Sequence, residues 1–144
     1  MRYLLRLAVL CVATALPALA RADFYVVVQA ANPQHSMTQK EVVGLFMGRD
    51  RAFTDGEFAE VFDLDRSDPV RASFYRALTG LSQAQVNSYW ARLLFSGRNS
   101  PPQPVADEAA MAAAIKRNPN AIGWLSHEPT DRSLRTVLVL KEPH

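Results

Sequence analysis

The strongest constraint on the fold is a seven-residue run, 24–30, that begins with two aromatic residues and continues with three consecutive valines. A strand with one face in water alternates apolar and polar residues, whereas a strand covered on both faces does not. The run shows almost no alternation. It therefore predicts a central strand with protein packed against both of its faces.

Three further strand-like runs, 58–62, 121–125 and 134–140, alternate with helical patterns along the chain. Capping boxes at residues 38–41 and 82–85 mark the starts of two helices, because the first and fourth residues of such a box bond each other's backbone amides. Strands that alternate with helices predict an α/β domain of three layers. We expect a mostly parallel sheet of about four strands, with helices on both faces.

The helix after the second capping box has the clearest periodicity. Val86, Tyr89, Trp90, Leu93 and Leu94 follow the spacing of a single helical face, so all five are predicted to point inward. The predicted core of the domain is Val26, Val28, Leu45, Phe46, Phe74, Leu78, Trp90, Leu93, Ile115 and Ile122.

The segment after this helix, residues 98–104, contains three prolines and is predicted to be a long surface loop. Asp107 or Glu108 then opens an alanine-rich helix that runs to about Lys116. Trp124 lies beside Gly123 in the next strand, where it is interpreted as either a packing residue or a ligand contact.

The first 22 residues have the layout of a secretory signal peptide. Arg2 and Arg6 precede an apolar run, 7–16, and small residues follow it. Cleavage after Ala22 is preferred to cleavage after Ala20, because strand-like sequence starts almost at once. The apolar run is shorter than the roughly 20 residues of a membrane span. We expect a periplasmic domain of residues 23–144 with no membrane span after cleavage.

Export also changes the charge of the protein. The sequence has 16 basic and 14 acidic residues, but Arg2, Arg6 and Arg21 leave with the signal peptide. The mature chain then carries 13 basic and 14 acidic groups. Because nucleic-acid binding needs an excess of clustered basic residues, nucleic acid is not an expected partner.

The mature chain lacks the residues of common catalytic and cofactor sites. The one cysteine of the sequence, Cys11, belongs to the signal peptide, so the mature chain has none. No serine lies in a Gly-x-Ser-x-Gly turn, and His35, His127 and His144 are far apart. Metal-ligand spacings and glycine-rich nucleotide loops are missing from the sequence as well. We expect no catalysis, no metal and no cofactor.

A charged turn between a strand and a helix is the candidate site. Asp68 and Pro69 are typical of an N-cap and a first helical position. Arg66 and Arg71 flank this start, where the helix dipole and free amides favour an anion. The turn is either a plain capped helix start or an oxyanion site.

Aspartates are frequent around this turn. Asp63, Asp65 and Asp68 form the nearest thing to a calcium loop, but the glycine and distal glutamate of such a loop are missing. This cluster is interpreted as a solvated turn.

Several short motifs occur in an order that resembles the phosphate ABC transporter substrate-binding family, most closely its short, single-lobe members. The motifs are Val26-Val27-Val28, Asn32-Pro33, Thr38-Gln39-Lys40-Glu41, Leu45-Phe46-Met47-Gly48, Asp55-Gly56, Arg66-Ser67-Asp68, Phe74-Tyr75, Tyr89-Trp90-Ala91-Arg92-Leu93, Phe95-Ser96-Gly97-Arg98, Pro101-Pro102 and Ala121-Ile122-Gly123-Trp124. The resemblance implies a periplasmic-binding-protein-like lobe.

The family's anion turn is similar to Arg-x-Asp-x-Ser-Gly-Thr, and Arg66 and Asp68 match its first and third positions. Val70, Arg71 and Ala72 stand where serine, glycine and threonine would be, so two hydroxyl donors are missing. The resemblance implies an oxyanion ligand at Arg66, Ser67, Asp68, Val70 and Arg71. Asp68 is either a plain N-cap or an acceptor for the proton of a protonated oxyanion.

Two functions follow from the resemblance. The first is an exported solute-binding-like protein that binds phosphate or a similar oxyanion and serves an ABC permease. The second is an interaction module of an envelope complex that has lost ligand binding and uses the surface that a partner lobe would cover, including residues 98–104.

Overall fold

The computed structural model describes residues 23–97 and 100–142. The elements in chain order are β1 (Asp23–Gln29), α1 (Gln39–Phe46), β2 (Glu60–Leu64), α2 (Pro69–Thr79), α3 (Gln83–Phe95), β3 (Gln103–Val105), α4 (Glu108–Arg117), β4 (Ala121–Leu125) and β5 (Leu134–Lys141). No helix in these two ranges is long and apolar enough to cross a membrane.

The five strands form one sheet in the order β3-β2-β4-β1-β5. β2 is parallel to both β3 and β4, while β1 is antiparallel to both β4 and β5. Four strands therefore run in one direction, and only β1 runs in the other. The predicted α/β class is confirmed, with β1 near the middle of the sheet and five strands where about four were expected.

The additional strand, β3, begins in the segment 98–104 that was predicted to be a loop, so that prediction was wrong for residues 103–104. β3 pairs only with β2, and Pro104 lies opposite Asp63. A proline cannot donate a backbone hydrogen bond, but it is tolerated in an edge strand. The three prolines exclude a central strand and still allow this short edge strand.

The second strand also differs from its predicted bounds by two residues. β2 covers Glu60–Leu64 rather than residues 58–62, and Phe58 is 62% exposed. Asp63 and Leu64, which were assigned to a turn, are buried at the end of the strand. A buried aspartate is rare unless its charge is paired. The sequence pattern therefore predicted that the strand ended before Asp63, whereas it continues to Leu64.

Two neighbouring residues of β4 show that helices cover both faces of the sheet. Trp124 stacks on Phe74 of α2 with ring centroids 4.3 Å apart, and Phe24 packs edge-on against both rings. Gly123 faces the opposite side, where an added Cβ would lie 2.5 Å from Sδ of Met111 in α4. Glycine is therefore required at position 123 because α4 lies directly on the backbone of β4.

Nine of the ten predicted core residues are buried, and Leu93 is half-buried. On α3 only Val86 and Trp90 are fully buried, whereas Leu94 is 48% exposed. The predicted inward position of Leu94 was therefore wrong. The apolar stripe of α3 continues beyond the part of the helix that packs on the domain.

Candidate functional site

The charged turn lies at the carboxyl end of β2, between that strand and the start of α2. The carboxyl ends of β3 and β4 lie at the same edge of the sheet, because both strands are parallel to β2. In open α/β sheets, ligands bind in the crevice outside the carboxyl ends of the strands. The turn is thus at the expected position for a ligand site.

The Asp63 carboxylate is the most heavily bonded group at this edge. It is 3% exposed, and its Oδ2 accepts hydrogen bonds from Nε of Arg71 at 2.8 Å and from the Tyr75 hydroxyl at 2.7 Å. Its Oδ1 accepts from Nε1 of Trp124 at 3.0 Å and from the amide of Leu64 at 2.8 Å. Four donors therefore satisfy one buried charge and link β2, α2 and β4. We call this group the Asp63 cluster.

Arg71 lies inside the domain rather than at the surface of the turn. It is 4% exposed, pairs with Asp63, and its guanidinium carbon lies 4.7 Å from the centre of the Tyr75 ring. Burial alone would lower the pKa of Arg71, but the Asp63 carboxylate outweighs that effect and raises it. Nη1 of Arg71 is buried and has no hydrogen-bond partner among the described residues. Arg71 is a charged structural residue with one unused donor.

Tyr75 is a neutral member of the Asp63 cluster. Burial, and then the nearby negative charge of Asp63, raises the pKa of the Tyr75 hydroxyl well above its ordinary value near 10. The folded protein therefore keeps the phenolic proton at a pH where the unfolded chain releases it. By linkage, this contribution to stability is complete below about pH 10. It is lost as the pH rises above that value toward the folded-state pKa.

We predict that Tyr75→Phe lowers the free energy of unfolding by about 1.5–3 kcal/mol at neutral pH, because a hydrogen bond to a charged acceptor is lost. Between about pH 9 and about pH 11, the range in which tyrosines titrate, the free energy of unfolding should also fall less in the variant than in wild type. Urea unfolding at several pH values measures both effects. Tyr25→Phe, at a half-exposed position of β1, is the control. Parallel pH profiles for wild type and Tyr75→Phe would contradict the assignment.

The backbone amides at the start of α2 are already bonded within the chain. Asp68 is the N-cap, and its Oδ1 accepts from the Val70 amide at 2.9 Å. The Arg71 amide donates to the Asp68 carbonyl at 3.2 Å. The predicted N-cap at Asp68 is confirmed. An anion at this helix start would have to compete with the Asp68 carboxylate for the Val70 amide.

The turn itself is closed by a second aspartate. Oδ1 of Asp65 accepts from the Ser67 amide at 3.0 Å and from the Ser67 hydroxyl at 2.7 Å. These bonds, backbone first, lower the pKa of the exposed Asp65 carboxyl. The Ser67 hydroxyl therefore points its proton at Asp65. The interpretation as a solvated turn holds for Asp65 and is wrong for Asp63, which is buried.

The structure brings four of the five predicted site residues together at one exposed corner and draws the fifth inward. Arg66 and Ser67 are exposed, Asp68 and Val70 are half-buried, and the head group of Arg71 lies in the core. The Arg66 side chain forms no ion pair within the described residues, while its carbonyl accepts a hydrogen bond from Gln83 Nε2. Arg66 is therefore the cation of this corner that remains available.

A second capped helix start lies at the same edge of the sheet. Asp107 caps α4 by accepting from the Ala110 amide at 2.8 Å. The next residue, Glu108, accepts from both the amide and the hydroxyl of Ser126 after β4. Both helix starts at this edge thus carry a carboxylate of their own. Carboxylates repel an anion, and so the local charge does not favour an oxyanion.

Sequence reasoning did not find Tyr75 and Trp124 as partners of Asp63. Tyr75 lies four residues after Arg71, which places both side chains on one face of α2, and that spacing was the available signal. Trp124 is separated from Asp63 by 61 residues and has no local signal. Of the two interpretations of Trp124, the structure supports packing, since its ring is fully buried.

No protein-family model matches the chain, and no curated protein sequence matches it either. Solved structures do match. One, from Clostridium perfringens, is described as a phosphate ABC transporter substrate-binding protein with bound phosphate; it aligns with a TM-score of 0.65 and 15% identity over 81% of this chain and 44% of its own. An ABC-type phosphate transport receptor from Vibrio cholerae aligns with a TM-score of 0.62 and 20% identity, over 81% and 46%.

A possible phosphate binding protein from Planctomyces limnophilus DSM 3776 aligns less closely, with a TM-score of 0.51 and 12% identity over 84% of this chain and 54% of its own. The chain spans about half the length of these structures. At such identities the similarity establishes the fold alone. The resemblance noted in the sequence is confirmed at that level: the chain shares a periplasmic-binding-protein-like fold with about half of each of these structures, whose descriptions name phosphate as the bound or transported ion.

Proposed function

We propose that this chain is an exported, solute-binding-like protein in which residues 1–22 are a signal peptide and residues 23–144 form one periplasmic domain. The signal peptide lies outside the described residues. What supports the proposal is that Asp23, the first residue of the expected mature chain, already lies in register with Lys141 of β5 in the sheet. N-terminal sequencing of the protein from a periplasmic extract tests it, and an intact Met1 terminus would overturn it.

Within that setting we propose that the domain acts mainly as an interaction module of an envelope complex, with an envelope protein or an ABC permease as its partner. The observation that carries this choice is the use of the anion turn for internal bonds. Asp63 holds Arg71 in the core, Asp68 occupies the Val70 amide, and Asp65 occupies Ser67. Ser67, the Val70 amide and Nε of Arg71, three of the donors that would bind an oxyanion, are thus already bonded to carboxylates of the same chain.

Oxyanion binding is the second candidate, and two observations favour it. The Arg66 side chain is exposed without an ion pair among the described residues, and Nη1 of Arg71 lacks a partner. A phosphate ligand would lie at Arg66, Ser67, Asp68, Val70 and Arg71, as the resemblance implies. Asp68 would then accept the proton of monohydrogen phosphate, which sulfate cannot supply.

Isothermal titration of the periplasmic protein with phosphate and with sulfate separates the two candidates. We predict no binding at millimolar phosphate, because the hydrogen bonds that Ser67 and the Val70 amide would donate to the anion replace existing charge-assisted bonds, each worth roughly 1.5–3 kcal/mol. Micromolar phosphate binding would reverse the order of the two candidates.

Two variants make this titration decisive. If phosphate does bind, Arg66→Gln should abolish it, and Asp68→Asn should reduce the preference for phosphate over sulfate while retaining the N-cap. If phosphate binds and neither variant changes it, the turn is not the site.

A further inference from the structure

A cleft opens at the amino end of β2, whereas the Asp63 cluster lies at the carboxyl end of that strand. The cleft has a volume of about 250 Å³. Four segments line it: the end of α1, the loop that follows α1, the start of β2 and the residues just before β3. Clefts that hold drug-sized ligands measure roughly 300–1,000 Å³. This cleft therefore suits a smaller molecule.

Backbone hydrogen bonds hold the walls of the cleft in place. The Asp50 amide donates to the Gly44 carbonyl at 3.0 Å, which ties the loop after α1 back onto that helix. The Ala59 amide donates to the Arg51 carbonyl at 2.9 Å, which ties the same loop to the start of β2. The two walls are thus fixed by the fold itself. Small-molecule sites are usually pre-formed in this way.

Charged side chains of both signs line the cleft. Asp50 lies against Gly44, where an added Cβ would collide with its carboxylate. That carboxylate forms no hydrogen bond or ion pair within the part of the chain that the structure describes. The next residue, Arg51, lines the cleft as well, and a guanidinium has five N–H donors, of which a carboxylate needs two. The cleft thus offers an acceptor for a cation beside a donor group for a carboxylate.

Most of the remaining side chains in the lining are apolar. They are Leu45, Phe58, Val61, Pro101 and Pro102. A second carboxylate, that of Glu60, is used within the fold, because it accepts from Gln103 Nε2 at 2.8 Å and from Asn118. A ligand in the cleft therefore meets the opposite charges of Asp50 and Arg51 next to apolar walls.

We propose that this cleft binds a small zwitterion, a free α-amino acid with an apolar side chain. Its ammonium group pairs with the Asp50 carboxylate, and its carboxylate pairs with the Arg51 guanidinium. Its side chain packs on the apolar walls, including the exposed ring of Phe58. The inference goes beyond the proposed function because it concerns a solute rather than a protein partner. The cleft also shares no residue with the charged turn.

The mixed charge of the lining argues against other ligands of this size. A simple anion would lie beside the carboxylates of Asp50 and Glu60, which repel it. A simple amine brings no acceptor for the Arg51 guanidinium. A purely apolar solute would displace water from both charges and replace none of its hydrogen bonds. A ligand that carries both charges on an apolar body satisfies the whole lining.

Isothermal titration of the periplasmic protein with L-leucine, L-phenylalanine and L-methionine tests the inference. At least one of them should bind with a Kd below about 1 mM. The tightest binder is then compared with the amine that lacks its carboxylate and with the acid that lacks its ammonium group, which for leucine are isoamylamine and 4-methylpentanoate. Each analogue should bind at least about tenfold more weakly, because a site that bonds a polar group rejects the analogue that lacks it.

Two variants locate the binding. Asp50→Asn and Arg51→Gln should each raise the Kd at least about tenfold, because each removes a charge that the ligand contacts. Asp55→Asn and Arg49→Gln are the matched controls, since they make the same changes at exposed residues that do not line the cleft. Because exposed charges are screened by salt, the controls should change the Kd by less than about twofold. Circular dichroism checks that all four variants are folded.

Three results would overturn the inference. The first is no binding of any of the three amino acids at about 10 mM, ten times the expected upper limit of the Kd. The second is an amine or acid analogue that binds as tightly as its amino acid. The third is binding that Asp50→Asn and Arg51→Gln both leave unchanged. The phosphate titration reports on the charged turn and not on this cleft, so failure of this inference and failure of the proposed function are distinguishable.

Discussion

Asp63→Ala is expected to lower the free energy of unfolding by about 3–5 kcal/mol, because removing one partner leaves the other charge of a buried pair uncompensated. Arg71 would remain in the core without its carboxylate, and the Tyr75 hydroxyl and Trp124 Nε1 would lose their acceptor. Native domains are stable by only about 5–15 kcal/mol. The substitution therefore removes a large part of the total stability.

Urea unfolding followed by far-UV circular dichroism measures this effect. Asp65→Ala is the matched control: the same substitution two residues away, at an exposed aspartate whose carboxylate, among the described residues, accepts hydrogen bonds only from Ser67. It should cost less than about 1 kcal/mol, as most surface substitutions do. A double-mutant cycle with Arg71→Met then isolates the pair. Equal losses for Asp63→Ala and Asp65→Ala would show that the cluster does not hold the domain together.

Local patterns in the sequence predicted most of the elements. The valine run predicted β1, and the capping boxes beginning at Thr38 and Ser82 are both present at the starts of α1 and α3. These signals are local because a cap is completed within four residues and an apolar run within one strand. The order of motifs also predicted the lobe, which the solved structures confirm as a fold.

The candidate site was harder to predict because its bonds connect residues that are distant along the chain. Arg66, Ser67 and Asp68 were correctly placed at a helix start, but the burial of Arg71 depends on Asp63 and Trp124 in two different strands. Only the fold decides whether such a cation faces solvent or the core. The exposure of Phe95 has the same origin, since periodicity shows a helical face but not where its packing ends.

The Asp63 cluster also gives a physical reason why this turn differs from the anion turn of the family that the sequence resembles. Arg71 occupies the position where the family pattern has glycine, and it supplies the positive charge that Asp63 needs in the core. The buried carboxylate of Asp63 therefore requires an arginine, and not a glycine, at position 71 of the turn. With Asp63 in this environment, the glycine of the resembled pattern at position 71 would leave a buried charge unpaired.

Introducing the turn pattern of the resembled family is therefore expected to destabilise this protein. The triple variant Val70→Ser/Arg71→Gly/Ala72→Thr should lose about 3–5 kcal/mol, since Asp63 would keep only neutral donors. The glycine in the first turn of α2 adds about 1 kcal/mol. Adding Asp63→Asn should recover part of this loss, because the unpaired charge disappears. The asparagine oxygen can still accept from Trp124, and the Tyr75 hydroxyl can accept from the new amide group.

Urea unfolding of four proteins tests whether Arg71 compensates the buried charge of Asp63. The four are wild type, the triple variant, the triple variant with Asp63→Asn, and Val70→Ser/Ala72→Thr with Arg71 retained. The last is the control for the two hydroxyls and should cost about 1 kcal/mol. If the triple variant is no less stable than this control, Arg71 does not compensate Asp63. The turn would then be free to be remade as an oxyanion site, and the case for a domain that works mainly by protein contact would lose its main support.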